Sequence, residues 1–123
     1  ERTMKHIRLN GIIAAVGLAV MLLLSAQSQA AFLTGSDLLQ RCESASDTAY
    51  NACVGYIMGI VDYQDTLVAW SNLDKPFFCA PGSATAGQLV KVVTKWLNEH
   101  PEELHLAASS RTANSLSRAF PCS

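Results

Sequence analysis

Between Thr34 and Cys122 the apolar positions recur mostly three and four residues apart, and this spacing predicts four helices. Thr34 or Ser36 can cap a first short helix ending near Cys42, with Asp37 in its first turn, where the helix dipole favours an acid. "ESASD", Glu43 to Asp47, reads as a polar turn whose Ser46 or Asp47 caps a second helix reaching about Trp70. In that helix Val54, Ile57, Met58, Ile60, Val61, Leu67 and Val68 spread around more than one face, the pattern of a central helix packed on several sides.

"SNLDKPFFCAPG", Ser71 to Gly82, has two prolines and no periodicity, so it is a loop. A third helix starts near Ser83 or Thr85, where Thr85 and Gln88 have capping-box spacing, and carries Leu89, Val92, Val93, Trp96 and Leu97 as its stripe. It must stop before Pro101, because the residue ahead of a proline is driven out of the helical region. Pro101 then opens a fourth helix, with Glu102 and Glu103 in its first turn, Arg118 near its end, and a thinner stripe of Leu104, Ala108, Leu116 and Phe120. The fold class expected is an all-α, disulfide-stapled bundle of about four helices.

The front of the chain has a different character. Lys5, His6 and Arg8 follow Met4, "GIIAAVGLAVMLLL" runs from Gly11 to Leu24, and small residues lead to Ser28 and Ala30. This is the layout of a secretory signal peptide, and the apolar run is shorter than the ~20 residues a membrane span needs. The reading is cleavage near Ala30, after Ala30 or Ala31, with Glu1, Arg2 and Thr3 upstream of the natural start. The domain expected is residues 31–123, exported to the periplasm and touching a membrane only through an uncleaved leader. That length supports one small domain. Residues 31–123 carry nine acids against six bases, and this mildly acidic balance argues against nucleic acid, whose phosphates require clustered Lys and Arg.

All four cysteines, Cys42, Cys53, Cys79 and Cys122, lie in the exported part, and no C-x-x-C pair suggests zinc. Spacing alone allows three connectivities, and the helix map chooses among them. Helices three and four are joined almost directly at His100–Pro101, so an antiparallel pair returns Cys122 to Cys79. Cys42 and Cys53 face each other across the short turn between helices one and two. The bridges expected are Cys42–Cys53 and Cys79–Cys122.

Within helix two, "NACVGYIMGIVD" sets Gly55 and Gly59 one turn apart on one face, and each glycine costs about 1 kcal/mol of helix propensity relative to alanine. Close approach of another helix backbone is the compensation expected, so that Gly59→Leu would cost more than ~2 kcal/mol. Asp62 continues this face, either as a solvated acid at the edge of the groove or as a buried acid bonded to backbone or to a tyrosine.

Little in the chain suggests catalysis. His100 precedes a helix-breaking proline, His105 sits between Leu104 and Leu106, and Ser109, Ser110, Ser115 and Ser117 have no nucleophile-elbow setting. The cysteines are committed to bridges, and neither a phosphate loop nor a dinucleotide fingerprint is present. The expectation is no enzyme, no cofactor and no metal.

"LLQRC" (Leu38 to Cys42), "CVGYIMGIVD" (Cys53 to Asp62), "FCAPG" (Phe78 to Gly82), "GQLVKVVTKWLNEHP" (Gly87 to Pro101) and "AFPC" (Ala119 to Cys122) together resemble the Rap/Tai family, the type VI secretion amidase immunity proteins. The resemblance covers nearly all of residues 31–123, and its specificity lies in the ordered set of elements. It implies a small helical periplasmic protein, often a dimer, that binds and blocks a peptidoglycan amidase injected by a neighbouring cell. It also implies that Gly55, Tyr56, Gly59 and Asp62, with Cys53, define the fold. The partner surface is not given by shared residues, so the loop supplies the candidates: Asn72, Asp74, Lys75, Phe77 and Phe78, aromatics beside charges. A client-binding periplasmic protein of the acid-stress chaperone type is the alternative, and a family member without a toxin partner is another.

Overall fold

The computed structural model describes residues 32–123, and the expected signal peptide lies outside the described residues. Four α-helices follow in order: α1 Gly35–Cys42, α2 Asp47–Ala69, α3 Ala86–Glu99 and α4 Ala108–Ala119, with a 3₁₀ turn at Pro101–Glu103 between the last two. Among the described residues no helix is long and apolar enough to cross a membrane.

Two helices begin on capping boxes that the sequence spells out. Thr34 Oγ1 accepts from the Asp37 N–H at 3.2 Å while the Asp37 carboxylate accepts from the Thr34 N–H at 2.9 Å. The Thr85–Gln88 box at the start of α3 is built the same way, with the Thr85 N–H donating to Gln88 Oε1 at 2.8 Å and the Gln88 N–H to Thr85 Oγ1 at 3.3 Å. Each box satisfies amides that the first helical turn leaves without partners.

The fourth helix starts seven residues later than Pro101. Pro101–Glu103 forms only a single 3₁₀ turn, and the segment after it bonds to the residues that lead into α1, with Thr34 and Ala107 forming an isolated antiparallel bridge. Gly35 and Ser36 donate their N–H groups to the carbonyls of Leu106 and Leu104, both at 2.9 Å, and Ala108 donates to the carbonyl of Leu33 at 2.8 Å. These bonds satisfy the amides that open α1, and the local bends they require prevent residues 104–107 from continuing a helix. Gly35 makes this approach possible: a Cβ placed on it would lie 3.3 Å from both Cα and O of Leu104.

The core is Leu38, Cys42, Cys53, Ile57, Phe78, Leu89, Val90, Val93, Leu97, Ala108 and Leu116. In α3 the buried stripe is Leu89, Val90, Val93 and Leu97, while Val92 and Trp96 are half-buried. The turn from α3 into α4 is tied by side chains: Trp96 and His100 stack with ring centroids 4.1 Å apart, and Arg111 pairs with Glu103.

Helix α2 is not packed on several sides. Only Cys53, Ile57 and Gln64 are buried, Ala49, Val54, Tyr56, Met58, Ile60, Val61, Thr66 and Leu67 are half-buried, and the side carrying Thr48, Gly55, Gly59 and Asp62 is open. The other helices, of 8, 14 and 12 residues, all contact it, but a helix of 23 residues has more surface than they cover.

Both disulfides follow the hairpin geometry. Cys42–Cys53 closes the α1–α2 turn and Cys79–Cys122 joins the start of the α3 hairpin to its end, with Cα–Cα separations of 5.1 and 5.0 Å. The second staple is reinforced by the Cys79 N–H donating to the Phe120 carbonyl at 2.8 Å.

Candidate functional site

The loop leaving α2 is set by three anchors. The helix ends in a Schellman arrangement: the Ser71 N–H bonds to the Val68 carbonyl and the Asn72 N–H to the Leu67 carbonyl, both at 3.0 Å. Ser71 occupies the left-handed position with φ 56°, where glycine is usual. At the far end Gln64, itself buried in α2, binds both backbone groups of Phe78, and Cys79 is disulfide-bonded. Residues 72–77 therefore project from a fixed base.

The structure separates the five loop candidates. Asn72, Asp74 and Lys75 are exposed, and Phe77 stands out at 53%. Phe78 is only 2% exposed and belongs to the core, so it is not available as a partner anchor. The two adjacent aromatics divide because the bonds from Gln64 hold the Phe78 backbone against the core, while Phe77 sits at a bend just before it and stays outside. Trp70, 71% exposed at the helix end, adds an aromatic that the sequence reading did not single out. Beside Phe77 runs an open groove of about 400 Å³ whose other lining is the uncharged side of α4, including Ser110, Ala113 and Asn114.

Gln64 was also missed. Its signal was positional: an amide seven residues, about two turns, beyond Ile57 lies on the same buried stripe, has no solvent and must find partners in the chain.

The glycine pair lies elsewhere than expected. Nothing stands within 4 Å of a Cβ placed on Gly55 or on Gly59, and Asp62 is exposed. No backbone of the same protomer approaches this face, and the expected cost of Gly59→Leu inside the protomer is withdrawn. Asp62 is the solvated acid of the two readings. Tyr56 is half-buried and packs against the core's margin.

Other reactive groups are dispersed. His100 Nδ1 lies 2.8 Å from the Trp96 carbonyl and its ring is stacked, whereas His105 is exposed. Ser115 is buried and donates to the Thr112 carbonyl at 2.8 Å. Among the described residues no group of three His, Cys, Asp or Glu side chains could hold a metal. What this surface offers is contact: aromatic side chains and charges on a braced loop.

No curated protein matches the chain. The family model described as Rap1a immunity proteins matches residues 34–122, which is almost the whole of the described domain, from the Thr34 cap through the second staple. With the all-α bundle and both staples in place over that span, the chain belongs to the Rap1a immunity protein family.

Proposed function

We propose that this protein protects its own cell by binding and blocking a peptidoglycan amidase delivered by type VI secretion, and that it does so in the periplasm, as a homodimer, after removal of a signal peptide near Ala30. The observation that carries the reading is the family match over residues 34–122. Immunity by occlusion requires a stable surface and no chemistry. The Ser71–Phe77 loop meets that requirement best, because its base is held by Gln64 and Cys79 while Phe77 and the neighbouring Asp74 and Lys75 face solvent. Exposed aromatics next to charges are the mixture that interface hot spots use.

The test is a pull-down and inhibition assay with any secreted Cys-His amidase whose gene lies beside that of this protein. Wild type is compared with the triple variant Asn72→Ala, Asp74→Ala, Lys75→Ala and with Phe77→Ala, each checked for intact helicity. Binding and inhibition by wild type, reduced in the loop variants, support the reading. A folded wild type that neither binds nor inhibits such an amidase overturns it and favours capture of unfolded clients. Cell fractionation with N-terminal sequencing of the mature protein tests the periplasmic location and the cleavage position.

A further inference from the structure

Helices α3 and α4 leave a groove between them on the side of α4 turned away from Phe77. Two depressions of about 350 and about 280 Å³ share Val92 and so run together along α3, from Gln88 to Glu99. On α4 they are lined by Ser115, Arg118 and Ala119, whereas Ser110, Ala113 and Asn114 line the groove beside Phe77. At 3.6 residues per turn the two sets face nearly opposite directions.

The charge of this groove runs against that of the domain. Residues 31–123 carry six bases against nine acids, yet three of the bases, Lys91, Lys95 and Arg118, line it together with a single acid, Glu99. Lys91 and Arg118 pair with no acid among the described residues. The Lys95–Glu99 contact, 3.8 Å between two exposed side chains, is of a kind that contributes little and opens easily. Between the bases the floor is apolar, formed by Val92, Ala119 and Phe120. Trp96 stands in the wall, half-buried, and its indole N–H has no acceptor among the described residues.

We propose that this groove docks an acidic segment of a partner protein, bound as an extended chain in which acidic and apolar residues alternate. Charge complementarity gives the sign of the partner, and the spacing gives its form. Lys91 and Lys95 lie on α3 one helical turn apart, about 6 Å, near the ~6.6 Å between alternate side chains of an extended chain. Carboxylates two residues apart therefore match both lysines, whose long stems reach up to them, while the side chains between turn the other way, onto the apolar floor. From Gln88 to Glu99 the groove is about 16 Å long, room for about five extended residues. A small free anion would leave the floor uncovered, and nucleic acid requires a denser row of bases. A peptide carbonyl or carboxylate beside the Trp96 ring also offers the acceptor that its N–H lacks. This docking site goes beyond the amidase reading, and neither depends on the other.

The test uses the two tryptophans as reporters, because Trp96 lines the groove and Trp70 lies outside it. Each gives one indole N–H resonance in the ¹⁵N-labelled protein, and Trp70→Phe assigns them. The probe is a blocked hexapeptide of alternating glutamate and leucine, with an alternating lysine and leucine peptide as its counterpart. The acidic peptide moves the Trp96 signal and not that of Trp70, and high salt weakens the effect. Lys91→Glu/Arg118→Glu, at two exposed positions, stays folded by circular dichroism, loses about tenfold or more in affinity for the acidic peptide, and gains binding of the basic one. The milder Lys91→Gln/Arg118→Gln lowers the affinity for the acidic peptide without that gain.

The proposal is overturned if the acidic peptide leaves the Trp96 signal in place at millimolar concentration, or if it binds the charge-reversed variant as well as wild type. It is overturned equally if inorganic phosphate or a short oligonucleotide binds the groove as tightly as the peptide, which would make this a general anion site.

Discussion

The buried side chain of Gln64 holds the backbone of Phe78 on both sides: Nε2 donates to the Phe78 carbonyl at 3.1 Å, and Oε1 accepts from the Phe78 N–H at 3.0 Å. Gln64 is 4% exposed and Phe78 2%, so neither backbone group has water as an alternative. Gln64→Leu, close in volume, leaves a buried donor and a buried acceptor without partners. The expected loss is about 2–6 kcal/mol, at about 1–3 kcal/mol for each orphaned group. Urea denaturation measures it, and limited proteolysis should find residues 71–77 cut faster in the variant. Equal stability of the two proteins would show that the pair does not brace the loop.

Gly35 is the glycine whose missing side chain the fold requires. A Cβ there would press on Leu104 backbone and on Leu97 Cδ2, all at 3.3 Å, and the Leu104 backbone is fixed by its bond from Ser36. Gly35→Val is expected to cost about 2 kcal/mol or more through overpacking. Gly55→Ala, where a Cβ meets nothing within the protomer, supplies the contrast under monomeric conditions. The melting temperatures of the two variants should move in opposite directions.

The two disulfides differ in exposure and should differ in reactivity. Cys42 is 8% exposed and Cys53 fully buried, whereas Cys79 and Cys122 are both exposed. Under limiting dithiothreitol, timed alkylation should label Cys79 and Cys122 first, because thiol–disulfide exchange depends on access. Removing the Cys79–Cys122 bond as a Ser pair frees a closed loop with a sequence separation of 43 and should cost about 4 kcal/mol. The Cys42–Cys53 loop, with a separation of 11, accounts for about 3 kcal/mol in chain entropy before any loss of packing.

Asp37 gives the domain a pH dependence of known sign. Its hydrogen bonds from the Thr34 side chain, and then from the Thr34 backbone, hold the carboxyl below its ordinary value of 3.8. A group whose pKa is lower folded than unfolded contributes stability above the unfolded value and loses it as pH falls through the folded one. Asp37→Asn should therefore be less stable than wild type at neutral pH, and the difference should shrink as the pH drops below about 3.8. A difference independent of pH would assign the effect to cap geometry alone.

The helices and staples were legible because local chemistry specifies them. Thr34 with Asp37 and Thr85 with Gln88 write out two helix starts, Pro101 ends the α3 helix, and an antiparallel return of α4 along α3 brings Cys122 back to Cys79 even though the connection between them is longer than expected. What sequence alone could not decide was which side of each element meets the rest of the protein. Periodicity marked α2 as apolar on several faces, but whether enough neighbouring surface exists to cover them is a property of the assembled layer, and here it does not. The same holds for the glycines: a missing Cβ is required only where another backbone arrives, and that place is Gly35 beside Leu104, brought together from opposite ends of the domain. Phe77 and Phe78 are alike as residue types, yet the bond from Gln64, fourteen residues away, turns one into core and leaves the other on the surface.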